Sequence, residues 1–262
     1  MSRTVHKKIE ISYEEHGSGD EFVFLPGTAT DSSVWMPGVV THMDGFRSIM
    51  VDPRDTPKSS EAPAPYTPAD LAEEAVAVLD AAAIDAAHVV GYSLGGAAAQ
   101  ELALLAPRRV RSLTLVCTWG RTDAYLRHVF EWLRDGLAEA GMEWALKALL
   151  WLVFTARAQA DAAMYAGLLQ LGIAWGQKPS ALSRQLEADI AHDSLGRLHA
   201  VSCPVLVVGG EDDVFVPARY SSELADAIPG ARLEVMAGAA HSIPIENQPE
   251  LFGLIRELAA AS

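Results

Sequence analysis

A serine flanked by glycines is the feature of this sequence most suggestive of chemistry. Ser93 is the centre of Gly91-Tyr92-Ser93-Leu94-Gly95, which follows a β-branched run and leads at once into a helix of small residues. This order is typical of a sharp strand-to-helix turn that lifts the serine hydroxyl above a sheet, where bulky neighbours would collide. Short Gly-x-Ser-x-Gly matches are common by chance, but here the flanking elements are the ones that the motif requires. We therefore predict that Ser93 is a nucleophile; the alternative is a tight packing turn with an idle serine.

The start of the following helix also predicts where a negative charge could be held. The hydroxyl of Ser93 would lie near the positive end of the helix dipole. The backbone N–H of Leu94 would point at the oxygen of a substrate carbonyl while that oxygen gains charge. Leu94 is therefore a predicted oxyanion donor.

A serine hydroxyl is a poor nucleophile at its ordinary pKa, so a base has to take its proton and an acid has to orient that base. In the fold that carries this motif, the acid and then the histidine follow the serine along the chain. Here a buried strand runs into an acidic turn with Asp212 and Asp213, and a later loop contains His241. The other seven histidines lack a comparable position after a strand. We therefore favour His241 as the base, and the alternative is that it is a surface loop residue. Asp123 is a third candidate acid.

Alternating strands and helices must position these residues. The middle strands are apolar on both faces, as expected for a sheet covered by helices, and the alternation implies right-handed crossovers in a mostly parallel α/β sheet. The predicted strands are Phe22–Leu25, Arg47–Val51, His88–Gly91, Leu113–Cys117, Val205–Val208 and Leu233–Met236. The predicted helices are Pro68–Ala83, Leu94–Leu105, Ala218–Ala227 and Pro249–Ala260.

The alternation stops between about Gly120 and Leu198, where the pattern is helical and contains no convincing strand. We predict that residues 120–198 form a helical cap inserted in a single domain of residues 1–262. It would cover the carboxyl edge of the sheet, where open α/β folds bind their ligands. The segment is rich in aromatic residues, most of which would hold the cap together while a few would face a cavity. The predicted substrate-binding residues are Trp119, Tyr125, Trp132 and Trp151.

Five stretches spread over nearly the whole chain resemble the α/β-hydrolase superfamily, and within it the 3-oxoadipate enol-lactonase-like and related small esterases. The resemblance implies the α/β-hydrolase fold, with a mostly parallel central sheet flanked by helices and a helical cap insertion. It also assigns the acid, because the family's acid lies four residues before a proline in a Gly-x-x-Asp-x-x-x-Pro pattern, which here gives Asp213. The matching stretches are residues 52–54, 66–71, 91–96, 209–217 and 241 with 246–249.

Two segments depart from the family's pattern. Leu25-Pro26-Gly27-Thr28 stands where a His-Gly usually follows the strand, but the second oxyanion donor implied by the resemblance, the backbone N–H of Thr28, survives this change. Asp55-Thr56-Pro57 stands where a Gly-x-Gly is usual. Asp tolerates a left-handed conformation, whereas proline fixes a negative φ and removes a donor, so we expect this loop to run differently.

These residues together predict a serine hydrolase that cleaves an ester or lactone bond of a small, largely apolar substrate through an acyl-enzyme. One alternative is a non-hydrolytic or C–C-bond-acting enzyme of specialised metabolism on the same fold, such as a cyclase, perhydrolase or C–C hydrolase. Another is a slow-turnover ligand-binding receptor that keeps the triad. Haloalkane dehalogenases and epoxide hydrolases share the fold but carry Asp as nucleophile, so Ser93 argues against both.

Composition narrows the range of partners. The 262 residues, 50% of them hydrophobic, can bury a large core, and a net charge of −14 disfavours nucleic acid and anionic lipid surfaces. No His-Glu-x-x-His run, paired-cysteine spacing or phosphate-binding glycine loop is present, so we expect no metal and no cofactor. We expect a small-molecule substrate, no membrane partner, a monomer or homodimer, and a cytoplasmic location with reduced Cys117 and Cys203.

Overall fold

Eight strands form one sheet in the computed structural model, which describes residues 1–262. In chain order they are β1 (Ser2–His6), β2 (Ile9–Gly17), β3 (Asp20–Leu25), β4 (Phe46–Asp52), β5 (Ala87–Tyr92), β6 (Val110–Val116), β7 (Val205–Gly210) and β8 (Arg232–Met236). Their order across the sheet is β1-β2-β4-β3-β5-β6-β7-β8. Strands β3 to β8 are parallel, and β1 and β2 pair antiparallel with their neighbours. The predicted mostly parallel sheet is confirmed, and it contains all six predicted strands.

Ten α-helices connect and cover these strands. They are α1 (Met36–His42), α2 (Pro68–Ala81), α3 (Leu94–Leu105), α4 (Ala124–Val153), α5 (Ala156–Ala160), α6 (Ala162–Trp175), α7 (Pro179–Ala191), α8 (Arg219–Ala227), α9 (Ile243–Glu246) and α10 (Gln248–Ala260). The four helices predicted from the sequence correspond to α2, α3, α8 and α10. Helix α2 begins with a capping box in which Thr67 and Asp70 satisfy each other's backbone N–H groups.

Helices cover both faces of the sheet, because successive side chains of a buried strand point to opposite faces and both sets are apolar here. On β3, Val23 and Leu25 belong to a buried cluster shared with α2 and α3. Phe22 and Phe24 lie on the other face, in a cluster shared with α1 and α10. This two-sided burial fixes the carboxyl ends of the parallel strands, which carry the candidate site.

The amino-terminal hairpin of β1 and β2 was not predicted. Its two-residue turn is Lys7-Lys8, and both residues have positive φ, 47° and 70°. Two left-handed central residues make the tight turn that joins antiparallel strands, and Asn-Gly or Asp-Gly is its usual sequence signal. Two lysines give no such signal, and β1 is only half-buried in alternate positions, so the sequence pattern there is weak.

Helices α4 to α7 lie between β6 and β7, in the segment predicted to be a helical cap. Helix α4 is interrupted at Gly141, whose φ of 83° lies outside the helical region. Buried side chains of α4 and α7 form a cluster that includes Phe130 and Leu182, together with Phe215 from the loop after β7. Even α4, the longest helix at 30 residues, is not apolar enough to cross a membrane, and no other helix is suited to do so.

Candidate active site

Ser93 occupies the turn between β5 and α3 with a backbone φ of 53°, a left-handed conformation that is uncommon for a residue with a side chain. Two hydrogen bonds from the neighbouring strand region hold this strained turn. The N–H of Ser93 donates to the carbonyl of Val116 at 2.9 Å, and the hydroxyl of Thr118 donates to the carbonyl of Ser93 at 2.8 Å. The turn predicted from the Gly-x-Ser-x-Gly segment therefore has the strained backbone expected at such a strand-to-helix junction.

Gly95 lets α3 approach the end of β3, and this contact gives a testable prediction. A Cβ atom at position 95 would lie 2.3 Å from the carbonyl oxygen of Leu25 and 2.5 Å from that of Pro26, both rigid backbone atoms. We expect Gly95→Ala to lower the free energy of unfolding by roughly 1–3 kcal/mol or more, because the helix must shift.

Gly253, within α10, is the matched control because a Cβ there has no neighbour within 4 Å. Gly253→Ala should raise the free energy of unfolding by up to about 1 kcal/mol through helix propensity. Urea unfolding of both variants measures this difference. Equal stability of the two variants would show that Gly95 is not a site of close packing.

A hydrogen bond joins two of the residues predicted to act together. His241 Nδ1 lies 2.7 Å from Asp213 Oδ2, and both side chains are buried. The other carboxylate oxygen, Oδ1, accepts from the backbone N–H groups of Phe215 at 2.9 Å and Val216 at 2.8 Å. Three hydrogen-bond donors hold this buried carboxylate in one orientation, so Asp213 in turn fixes the orientation of the His241 imidazole.

The imidazole of His241 is fixed between two aromatic rings and lies beside the serine turn. Its centroid is 5.1 Å from that of Tyr92, the residue before Ser93, and 4.9 Å from that of Phe215. Nδ1 is bound to Asp213, whereas Nε2 makes no hydrogen bond within the protein, and neither does the hydroxyl of Ser93. The arrangement leaves Nε2 without a hydrogen-bond partner on the side of the ring that Asp213 does not occupy.

The two other candidate acids have different surroundings. Asp212 is exposed, and its backbone N–H donates to the carbonyl of Ala239. Asp123 caps α4 by accepting from the N–H of Leu126 at 3.0 Å, and it also accepts from the Tyr220 hydroxyl at 2.7 Å. Of the three, Asp213 is the one that contacts His241.

The loop after β3 lies against Ser93. A Cβ atom on Gly27 would be 3.0 Å from the Cβ of Ser93, a tight contact, so a larger residue at position 27 would press on the serine turn. The N–H of Ala29 donates to Gln185 Oε1 at 2.9 Å and that of Thr30 to the carbonyl of Gly27 at 3.3 Å. The N–H of Thr28, next to that of Ala29, has no acceptor in the protein. Leu94, as the first residue of α3, likewise has no acceptor in a preceding helical turn.

The four aromatic residues predicted to bind substrate lie in different surroundings. Trp119 is fully buried, its ring lies tilted against that of Phe130, and its Nε1 donates to the hydroxyl of Thr122 at 2.8 Å. Tyr125 is exposed, and its hydroxyl donates to a backbone carbonyl in the loop after β7. Trp132 and Trp151 are 46% and 58% exposed. The structure does not gather these four side chains into one group.

Sequence reasoning did not predict that α7 contacts the loops after β3 and β4. Asp55, which stands where glycine is usual, has a φ of 66°, so the chain does take a left-handed turn there. Its carboxylate accepts two hydrogen bonds from Arg184, at 2.9 and 2.6 Å. On the same helix, Asp189 Oδ2 accepts from the Thr28 hydroxyl at 2.7 Å. The unusual Asp at position 55 was the one sequence signal that could have indicated such an anchor.

The histidine loop is also tied to the inserted helices. The N–H of Ser242 donates to the carbonyl of Val153 at 2.9 Å, at the end of α4. Glu246 accepts from the N–H and the hydroxyl of Thr155, at 3.1 and 2.7 Å, and from the hydroxyl of Ser242. The residue after His241 is therefore held from two sides.

Cys117, Asp213 and His241 place three potential metal-ligand atoms within 4.8 Å of one another, all buried. Burial raises the pKa of the Cys117 thiol well above its usual range, which favours the protonated form that does not bind metals. Asp213 and His241 already satisfy each other through their hydrogen bond. The cluster is therefore fully accounted for by hydrogen bonding and packing.

Comparisons with known proteins agree with this architecture. A family model described as "alpha/beta hydrolase fold" matches residues 21–248. The "Putative carbamate hydrolase RutD" of Azorhizobium caulinodans is 32% identical over 245 residues, covering 93% of this chain and 92% of that protein. The crystal structure of "Putative non-heme bromoperoxidase BpoC" from Mycobacterium tuberculosis H37Rv has a TM-score of 0.84 and 26% identity, with 96% of each chain covered. The enol-lactonase from Burkholderia xenovorans LB400 has a TM-score of 0.91 at 23% identity, covering 99% of this chain and 100% of that one, which is a likeness of fold.

Proposed function

Because the chain belongs to the alpha/beta hydrolase fold family, we propose that it is a serine hydrolase that cleaves an ester or lactone bond of a small, largely apolar substrate. The family match confirms the resemblance found in the sequence. The proposed nucleophile is Ser93, the base is His241 and the acid is Asp213. The backbone N–H groups of Thr28 and Leu94 are the proposed oxyanion donors.

One observation carries this proposal: His241 is bound to a buried, fully hydrogen-bonded carboxylate through Nδ1, while its Nε2 has no partner. The carboxylate fixes the tautomer in which Nε2 carries the lone pair, which is the form that can accept a proton from a serine. A purely structural histidine in such a buried position would be expected to use both of its ring nitrogens.

The proposed reaction has two halves. Nε2 of His241 takes the proton of Ser93 while Oγ bonds to the substrate carbonyl carbon, and the oxygen of that carbonyl becomes an oxyanion. The N–H groups of Thr28 and Leu94 stabilise this charge, and each such donor is typically worth about 3 kcal/mol. The imidazolium then gives its proton to the departing alkoxide as the C–O bond breaks. Water, deprotonated by the same nitrogen, then attacks the acyl-enzyme. As the bond between the acyl carbon and Oγ breaks, Nε2 returns the proton to Oγ, which releases the acid and restores Ser93.

Apolar side chains around the base support a largely apolar substrate. Phe215 packs edge-on against His241, and the ring of Phe130 lies 5.7 Å from that of Phe215. A relative 32% identical over most of both chains is named for carbamate hydrolysis. A carbamate presents an acyl carbon to the same nucleophile, so a carbamate is the second candidate substrate class. Hydrolysis of either bond uses the same proposed residues.

Labelling with a fluorophosphonate tests whether Ser93 is activated, because this probe reacts with serines that a base has made nucleophilic. We expect the wild type to be modified stoichiometrically and Ser93→Ala to remain unmodified. Ser221→Ala is the matched control: Ser221 is buried and its hydroxyl has no partner, so this variant should label like the wild type. An inert wild type would contradict the proposal and favour a ligand-binding receptor or a non-hydrolytic enzyme.

A further inference from the structure

The loop that carries the proposed oxyanion donor Thr28 is strained. Ala29, the next residue, has a φ of 56°, a left-handed conformation that is unfavourable for alanine. Such a conformation persists only where the surrounding structure holds it in place. Whatever holds this loop therefore also determines where the N–H of Thr28 points.

Two residues on one face of α7 hold the loop on both sides of the strained peptide. The hydroxyl of Thr28 donates to Asp189 Oδ2 at 2.7 Å, and the N–H of Ala29 donates to Gln185 Oε1 at 2.9 Å. Gln185 and Asp189 are four residues apart, so they lie one turn apart on the same side of the helix. Both side chains are buried, which protects these two hydrogen bonds from water.

Helix α7 is itself well fixed, so it can act as a rigid support. The guanidinium of Arg184 binds both carboxylate oxygens of Asp55, in the loop after β4. The hydroxyl of Thr122 donates to the backbone carbonyl of Asp189 at 2.6 Å. These contacts fix α7 to the core at two further points, in addition to its hydrogen bonds with the loop after β3.

Asp189 is an unexpected residue for this position if its role is packing alone. Its side chain is buried and its second oxygen, Oδ1, has no hydrogen-bond partner, an arrangement that is unfavourable for a carboxyl group. Burial raises the pKa of Asp189 well above its usual range, which reflects the cost of placing a carboxyl group here. An apolar residue of similar size would fill the space without this cost, but it could not bind Thr28.

We propose that Asp189 is a positioning residue for the reaction: by binding the Thr28 hydroxyl, it fixes the Thr28 N–H in the direction that stabilises the oxyanion. This inference rests on the proposed serine hydrolase function. It assigns to the inserted helices a part in transition-state stabilisation, beyond covering the site. Asp189 itself touches no reacting atom.

Removing either end of the hydrogen bond tests the proposal. We expect Thr28→Val and Asp189→Leu each to lower kcat on a p-nitrophenyl acyl ester by roughly 10- to 100-fold with little change in KM, because a misdirected donor affects mainly the transition state. Thr28→Ser and Asp189→Asn keep a hydroxyl and a carbonyl acceptor, so both should recover most of the activity. The double variant should be no worse than either single one, because both lose the same contact.

A transition-state analogue separates positioning from a general loss of structure. Binding of a trifluoromethyl ketone, which forms a tetrahedral adduct with an activated serine, should weaken by the same factor as kcat/KM falls. The control is Ser112→Ala, which removes a buried hydroxyl 2.7 Å from His88 Nδ1. Both residues lie near the amino ends of β5 and β6, whereas Ser93 follows the carboxyl end of β5. This variant should lose stability but keep both kcat and analogue binding.

The outcomes distinguish this inference from the function on which it rests. Full activity in Ser93→Ala would overturn the serine hydrolase itself. If Ser93→Ala is inactive but Thr28→Val keeps wild-type kcat, the positioning role of Asp189 is wrong and the hydrolase proposal stands. Unchanged analogue binding in Thr28→Val would overturn the inference too, and this test does not depend on whether Asp189→Leu folds.

Discussion

Ser93→Ala is expected to lower kcat for hydrolysis of a p-nitrophenyl acyl ester by roughly 10⁴- to 10⁶-fold, the range seen when a triad nucleophile is removed. The physical reason is that no other group can form the acyl-enzyme. The remaining activity would come from binding and from the N–H groups of Thr28 and Leu94 acting on direct attack by water. Steady-state rates at saturating substrate measure the effect.

The fold should survive this change, which makes the result interpretable. The Ser93 side chain makes no hydrogen bond in the structure, and alanine fills less space in the same turn. The two hydrogen bonds that hold the turn use the backbone of Ser93, which alanine retains. An unfolding midpoint near that of the wild type is the control, and a rate within tenfold of the wild type would refute the assignment of the nucleophile.

Asp213→Asn is expected to lower kcat by roughly 10⁴-fold, because an amide can hold the imidazole in the wrong tautomer. The carbonyl oxygen of the new side chain can still accept from the N–H groups of Phe215 and Val216, so its NH₂ group would face Nδ1 of His241. Nδ1 must then accept a hydrogen bond, which leaves the proton on Nε2. A protonated Nε2 cannot take the proton of Ser93.

Asp212→Asn is the matched control, since it makes the same chemical change one residue earlier in the same turn. Asp212 is exposed and does not contact His241, so its variant should keep nearly full activity. Measuring kcat for the two variants side by side separates the orienting acid from the general charge of the loop. Equal losses of kcat in the two variants would show that Asp213 acts only through the negative charge of the loop.

Local sequence patterns predicted the elements whose structure depends mainly on the burial and size of neighbouring residues. The middle strands are apolar on both faces because helices cover both sides of the sheet, so β5, β6 and β7 were recognisable as short continuous runs. The turn at Ser93 was recognisable because crowding between a strand end and a helix start excludes large neighbours. The Lys7-Lys8 turn was missed because its left-handed residues are lysines, which do not signal that conformation.

The sequence by itself therefore determined the mostly parallel sheet, the serine turn and the order of the candidate residues along the chain. From the residues alone, Asp212 and Asp213 stayed equivalent, and only the resemblance to a family separated them. The tertiary structure decided which carboxylate meets His241 and which residues hold the loop of Thr28. Thr28 and Asp189 are 161 positions apart. No periodicity or spacing relates two such residues, because their contact depends on how separate elements pack, and packing is a property of the whole fold.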